Sequence, residues 1–138
     1  MSGFGKPSPR FSTRYPKANA KLTLQTRATL NLIGICSRQF WSIIVYDALS
    51  RSELENGQPF PSINSYANPA TNADGSLDIY FGPDAPAGKK QNWIRTVPGK
   101  GWFTWMRFYG PTAAFFHKTW KPDDIIETKR TWRKSRWL

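Results

Sequence analysis

Apolar and polar residues alternate through the middle of the chain with the two-residue period of a β-strand. In LDIYF, residues 77–81, Leu77, Ile79 and Phe81 fall on one face and Asp78 and Tyr80 on the other. In WFTWMRFY, residues 102–109, Trp102, Thr104, Met106 and Phe108 oppose Phe103, Trp105, Arg107 and Tyr109. FWSIIVYD, residues 40–47, is dense in β-branched and aromatic side chains and predicts a buried strand. NWIRTV, residues 92–97, predicts another. Turn signals separate these runs: Asn56-Gly57, Asp74-Gly75 as a hairpin signal, PGKG at 98–101 and Gly110-Pro111. TAAFFHKTW predicts a short helical turn, and KPDDIIE a last extended segment. LTLQTRATLNLIGICSR, residues 22–38, fits neither period and leaves a strand pair or a short helix open. Many short strands between Gly/Pro turns indicate an all-β sandwich or barrel with one short helical segment.

Composition bounds this picture. The chain has 138 residues, one domain's worth, and 15% of them are aromatic. No apolar run is long enough to span a bilayer as a helix, and no segment reads as a signal peptide. The formal charge is +11, but it is unevenly spread: +7 over residues 1–38, −1 over 39–128 and +5 over 129–138. The two ends carry all of the excess. Residues 1–38 and 129–138 therefore read as basic, poorly ordered flanks of a nearly neutral domain. Nucleic-acid binding, if any, is expected to be non-specific and to come from these ends, because a sequence reader carries its basic face on the fold.

Catalytic residue types are sparse. One Cys (Cys36) and one His (His117) exclude an internal disulfide and a cysteine-rich zinc centre. YFGPDAPAGKKQNW, residues 80–93, spaces its glycines one residue too far for a phosphate loop. It puts Lys90 where a hydroxyl is needed, and it loses two amides to Pro83 and Pro86. It reads instead as a connection between two strands. NADGSLD gathers oxygen ligands, but its Gly is misplaced for an EF-hand loop. No spacing brings two carboxylates together for glycoside hydrolysis, and Asp78 is expected to face solvent. No cofactor or metal is implied. The candidate ligand face is aromatic: Asn92, Trp93, Trp102, Trp105, Arg107 and Tyr109 fall in one predicted hairpin. Exposed rings there, beside an amide and a guanidinium, would suit a sugar. The competing expectation, and the preferred one, is that these rings fill the core or pack against a partner domain.

FWSIIVYD, NADGSLDIYFGPDAPAGKKQNWIRTVPGKGWF, RFYGP and KTWKPDDIIE occur in the order that resembles domain of unknown function 1214, over about residues 39–127. The resemblance implies a jelly-roll-like antiparallel β-sandwich. It also implies a place at the C-terminal end of a larger protein whose N-terminal part is domain of unknown function 1254, with many members exported to the bacterial envelope. It brings no catalytic residues to carry over. Residues 1–38 do not look like family sequence, so the chain is expected to be a fragment of a two-domain envelope protein. The favoured function is a non-catalytic binding or structural module that has lost a partner domain and is prone to self-association. The alternatives are a carbohydrate-acting hydrolase or carbohydrate-binding domain, and non-specific nucleic-acid binding through the ends.

Overall fold

A computed structural model of the chain describes residues 19–24, 37–120 and 122–128. Among the described residues, seven strands form two sheets. The first holds four strands in the order β5-β4-β1-β7: β1 (Ala20–Leu24), β4 (Leu77–Gly82), β5 (Trp93–Arg95) and β7 (Ile126–Glu127). The second holds three in the order β3-β2-β6: β2 (Ser37–Asp47), β3 (Ser62–Asn64) and β6 (Trp102–Pro111). One α-helical turn, α1 (Ala113–Phe116), follows β6. All pairings are antiparallel except β4 with β5, which is parallel, so the first sheet is mixed.

The two-residue period explains the core. Leu77, Ile79 and Phe81 of β4 are buried with Ala20, Leu22 and Leu24 of β1. The register sets Leu22 beside Ile79 and Leu24 beside Leu77, so the two strands present one continuous apolar surface. Facing it, Trp41, Ile43 and Val45 of β2, Ile63 of β3 and Trp102 of β6 complete the same cluster. The rings of Phe81 and Trp102 join the sheets, stacked with centroids 4.7 Å apart. The indole N–H of Trp102 is sealed in this core with no acceptor among the described residues.

Several expectations need correction. Ala20–Leu24, inside the segment read as poorly ordered, is a five-residue strand between β4 and β7 with Leu24 fully buried. Its acid-free sequence says nothing against a strand, because Lys21 and Thr23 occupy the polar face. The expectations for residues 1–18, 25–36 and 129–138, and for Cys36, lie outside the described residues. β2 is closed throughout on one face, at Trp41, Ile43 and Val45, whereas on the other Ser42 is buried but Phe40, Ile44 and Tyr46 remain partly open. Asp74-Gly75 makes a turn, with Gly75 N–H donating to Asn72 O at 2.9 Å, but not a hairpin. It leads from the second sheet to the first.

PGKG likewise turns the chain without forming a hairpin. β5 belongs to the first sheet and β6 to the second, so residues 96–101 carry the chain across the sandwich. Lys100 N–H donates to Val97 O at 3.1 Å around Pro98 and Gly99, and Gly99 has φ +78°. Pro then Gly with a positive φ is the signature of a type II turn. Gly99, not Gly101, is thus the glycine whose freedom the turn needs. Nothing lies within 4 Å of a Cβ placed on it, so the penalty there is conformational only. Gly99→Val is expected to cost about 1–3 kcal/mol, read as a lowered urea midpoint. An unchanged midpoint would count against this turn.

Candidate functional site: the outer face of the three-stranded sheet

The six residues singled out in the sequence separate into two groups, because β5 and β6 lie in different sheets. Trp93 opens β5 in the first sheet, Asn92 ends the 3-10 turn Lys90–Asn92 just before it, and both are buried. The Asn92 amide donates to Ala70 O at 2.7 Å and Asp78 O at 2.8 Å, while its Oδ1 accepts from Ala70 N–H at 2.8 Å. These three bonds fasten the loop at Ala70 to β4. The Trp93 indole N–H donates to Gly82 O at 2.9 Å, and the Arg95 guanidinium lies 5.4 Å from the Trp93 ring centroid. Trp102 is in the core. These three residues hold the fold and are not open to a ligand. Asn92→Asp keeps the shape, loses both donated bonds and sets a carboxylate against two carbonyl oxygens. Leaving buried polar groups unsatisfied costs about 1–3 kcal/mol each. A fall in melting temperature much larger than that of Gln91→Glu, an exposed neighbour, is the expected result. Equal falls would remove Asn92 from its clamping role.

Trp105, Arg107 and Tyr109 remain together and exposed on the outer face of β6. The register builds the rest of this face. Phe40 lies beside Tyr109, Ser42 beside Arg107, Ile44 beside Trp105 and Tyr46 beside Phe103, while Asn64 of β3 lies beside Ser42. Tyr66, on the 3-10 turn Ser65–Ala67 that caps β3, leans in from the side and is 81% exposed. Asn64 Oδ1 fixes that turn by accepting from Tyr66 N–H and Ala67 N–H.

The rings contact one another rather than lie flat. Phe40 is 5.1 Å from Tyr66 at 36° and 5.3 Å from Tyr109 at 65°. Tyr46 is 5.5 Å from Phe103 at 17° and 6.0 Å from Trp105 at 54°. Arg107 Nη2 donates to Tyr46 Oη at a long 3.4 Å, and Arg107 meets no carboxylate among the described residues. Arg51 sits over the Phe103 ring at 5.5 Å. Sequence reasoning found the β6 half of this face. It missed Phe40, Ile44, Tyr46 and Tyr66, although the alternation in FWSIIVYD carried the signal for the first three.

The acidic residues form no comparable site. Asp78, expected to face solvent, is half-buried: its Oδ1 accepts from Thr23 Oγ1 at 2.6 Å, and Lys21 Nζ is 3.7 Å from Oδ2. Burial pushes its carboxyl up, but the donors Thr23 and Asn72 and the Lys21 charge outweigh this and hold it below the usual value. Burial, then the Asp78 charge, raises the Tyr80 hydroxyl. Asp47 lies at the end of β2 in the other sheet, its carboxyl lowered by the Leu49 and Ser50 amides. Asp74 Oδ1 accepts from both Ser76 N–H and Ser76 Oγ, which lower its carboxyl and hold the turn. No group of three or more His, Cys, Asp or Glu is placed to hold a metal among the described residues. No helix of the described residues is long and apolar enough to cross a membrane.

Comparison with known proteins decides the family. The family model described as "Protein of unknown function (DUF1214)" matches residues 11–113. The chain belongs to the DUF1214 family. The match starts at residue 11, so much of the segment read as foreign to the family is part of it, β1 included. The DUF1214 domain is similar in fold to the crystal structure of the VPA0106 protein from Vibrio parahaemolyticus, a structural genomics target. The TM-score is 0.63 at 22% identity, over 82% of this chain. The chain spans about a quarter of that protein, 26% of its length. No curated protein matches the chain.

Proposed function

We propose that this DUF1214 domain is a non-catalytic docking module, whose outer three-stranded face packs against another protein domain of a longer protein. The observation that carries this reading is the exposed aromatic face, with Tyr66 81%, Trp105 57% and Tyr109 50% accessible. Exposed large apolar rings gathered around guanidiniums have the composition of a protein interface core, where Tyr, Trp and Arg are enriched. The similar Vibrio structure has a chain nearly four times as long as the part matched here, which supports a reading in which such a domain has further polypeptide beside it. The partner that the resemblance implies is a domain of the 1254 type.

A carbohydrate face is the second reading, supported by Trp105 beside Arg107. The tilts of 36°, 54° and 65° between neighbouring rings favour the first, because a sugar platform presents ring faces while these rings pack on one another. Calorimetric titration of the full chain with an isolated 1254-type domain separates the two. Saturable binding, weakened about tenfold or more by Tyr66→Ser with Ile44→Ser, is expected. No heat with that domain, together with saturable quenching of Trp fluorescence by oligosaccharides, would overturn docking in favour of the sugar.

A further inference from the structure

The second sheet ends in a long edge, the outer side of β6. β6 has ten residues and pairs with β2 on one side; among the described residues no strand pairs with the other. The hydrogen-bond pattern shows which groups face that edge. Val45 N–H donates to Pro61 O, and Val45 O accepts from Leu54 N–H, so Val45 turns its backbone groups away from β6. In an antiparallel ladder its partner Thr104 then turns its own N–H and C=O outward, as do Met106 and Phe108 at two-residue steps. The bond from Ala48 N–H to Gly101 O agrees with this phase, since it alternates correctly with Thr104. An edge of this length is normally blunted by an inward charge, a bulge or a proline. Here Pro111 and the register shift beside Gly110, which has a positive φ, stand only at its far end, and the single charged residue, Arg107, lies on the outer face.

We infer that β6 pairs with β6 of a second copy of this chain about a two-fold axis at Met106, joining two three-stranded sheets into one of six strands. The outward backbone groups restrict the register. Thr104 must meet an outward-facing residue of the partner, and the two-fold requires the pairing to be reciprocal. With Met106 opposite its own copy, Thr104 lies opposite Phe108. On the outer face Trp105 then lies opposite Arg107, and Phe103 opposite Tyr109, each pair occurring twice. An exposed guanidinium that meets no carboxylate is thus brought beside an exposed indole. Moving the axis by one residue sets Arg107 against Arg107, or Trp105 against Trp105, and loses this complementarity. The outer-face order Phe103, Trp105, Arg107, Tyr109 is self-complementary only about Met106. The pairing uses the strand edge and leaves the aromatic face open, so it stands apart from the docking function proposed above.

The test is sedimentation of the full chain over a range of concentrations, with two variants at an exposed position. Trp105→Lys would set Lys against Arg107 twice in each dimer and is expected to weaken association about tenfold or more. Trp105→Glu would set a carboxylate there instead and is expected to keep the dimer, as a salt-sensitive one. Circular dichroism confirms that both variants fold. General stickiness of the aromatic face would fall equally in the two variants, and that result overturns the pairing. A wild-type chain that stays monomeric at every concentration also overturns it.

Discussion

A chain trimmed to residues 39–128 is expected not to fold, although those bounds enclose the region that reads most clearly as β-sandwich. Trimming removes β1, which lies between β4 and β7 in the first sheet. Ala20, Leu22 and Leu24 are 1%, 3% and 0% exposed, and each sits beside an inward-facing residue of β4. Losing the two leucines alone removes about 3–6 kcal/mol of burial. A domain of this size holds only about 5–15 kcal/mol in total. The loss extends further. Lys21 and Thr23 leave with the strand, so the half-buried Asp78 carboxylate loses a cation and a hydroxyl donor. β7 loses its partner, because Ala20 and Lys21 are the residues it pairs with. Far-ultraviolet circular dichroism and a thermal melt, compared with the full chain, decide the matter. A trimmed chain with a cooperative melt near that of the full chain would show that β1 is dispensable.

That the sequence left residues 22–24 open between strand and helix, and Ala20 and Lys21 in a poorly ordered end, has a physical cause. AKLTL shows a perfect two-residue alternation, but over five residues only, and it is framed by polar and basic residues. A period carried by so few positions cannot be told from chance within a long acid-free stretch. Charge balance was the wrong guide: a strand with one solvated face tolerates Lys21 there, and its partner Asp78 is 57 residues away. The strands LDIYF and WFTWMRFY were legible because alternation and flanking turns agreed. Sheet membership was not, since a tight turn such as PGKG looks the same whether it joins two paired strands or crosses a sandwich. That single ambiguity merged Asn92 and Trp93 with Trp105, Arg107 and Tyr109 into one candidate face. Only pairing distinguishes them, and pairing is decided by long-range packing that local sequence does not encode.

The alternation along β6 separates two tryptophans three residues apart that the candidate face had grouped together. Trp102 and Trp105 sit on opposite faces of β6, one 1% and the other 57% exposed. Trp102→Ala is expected to cost about 3–5 kcal/mol, the range for removing a large aromatic from a core. It would vacate the contact with Phe81, the stack that joins the two sheets. Trp102→Phe should cost much less. It keeps an aromatic ring in that layer and also removes the indole N–H that finds no acceptor in the core. An unsatisfied buried donor of this kind carries a penalty of about 1–3 kcal/mol, which partly offsets the lost ring area. Trp105→Ala should fall within about 0.5 kcal/mol of wild type when measured at high dilution. The expected order of urea midpoints is therefore Trp105→Ala close to wild type, then Trp102→Phe, with Trp102→Ala far below. A Trp105→Ala midpoint as low as that of Trp102→Ala would mean that the outer face, and not the layer between the sheets, holds this domain together.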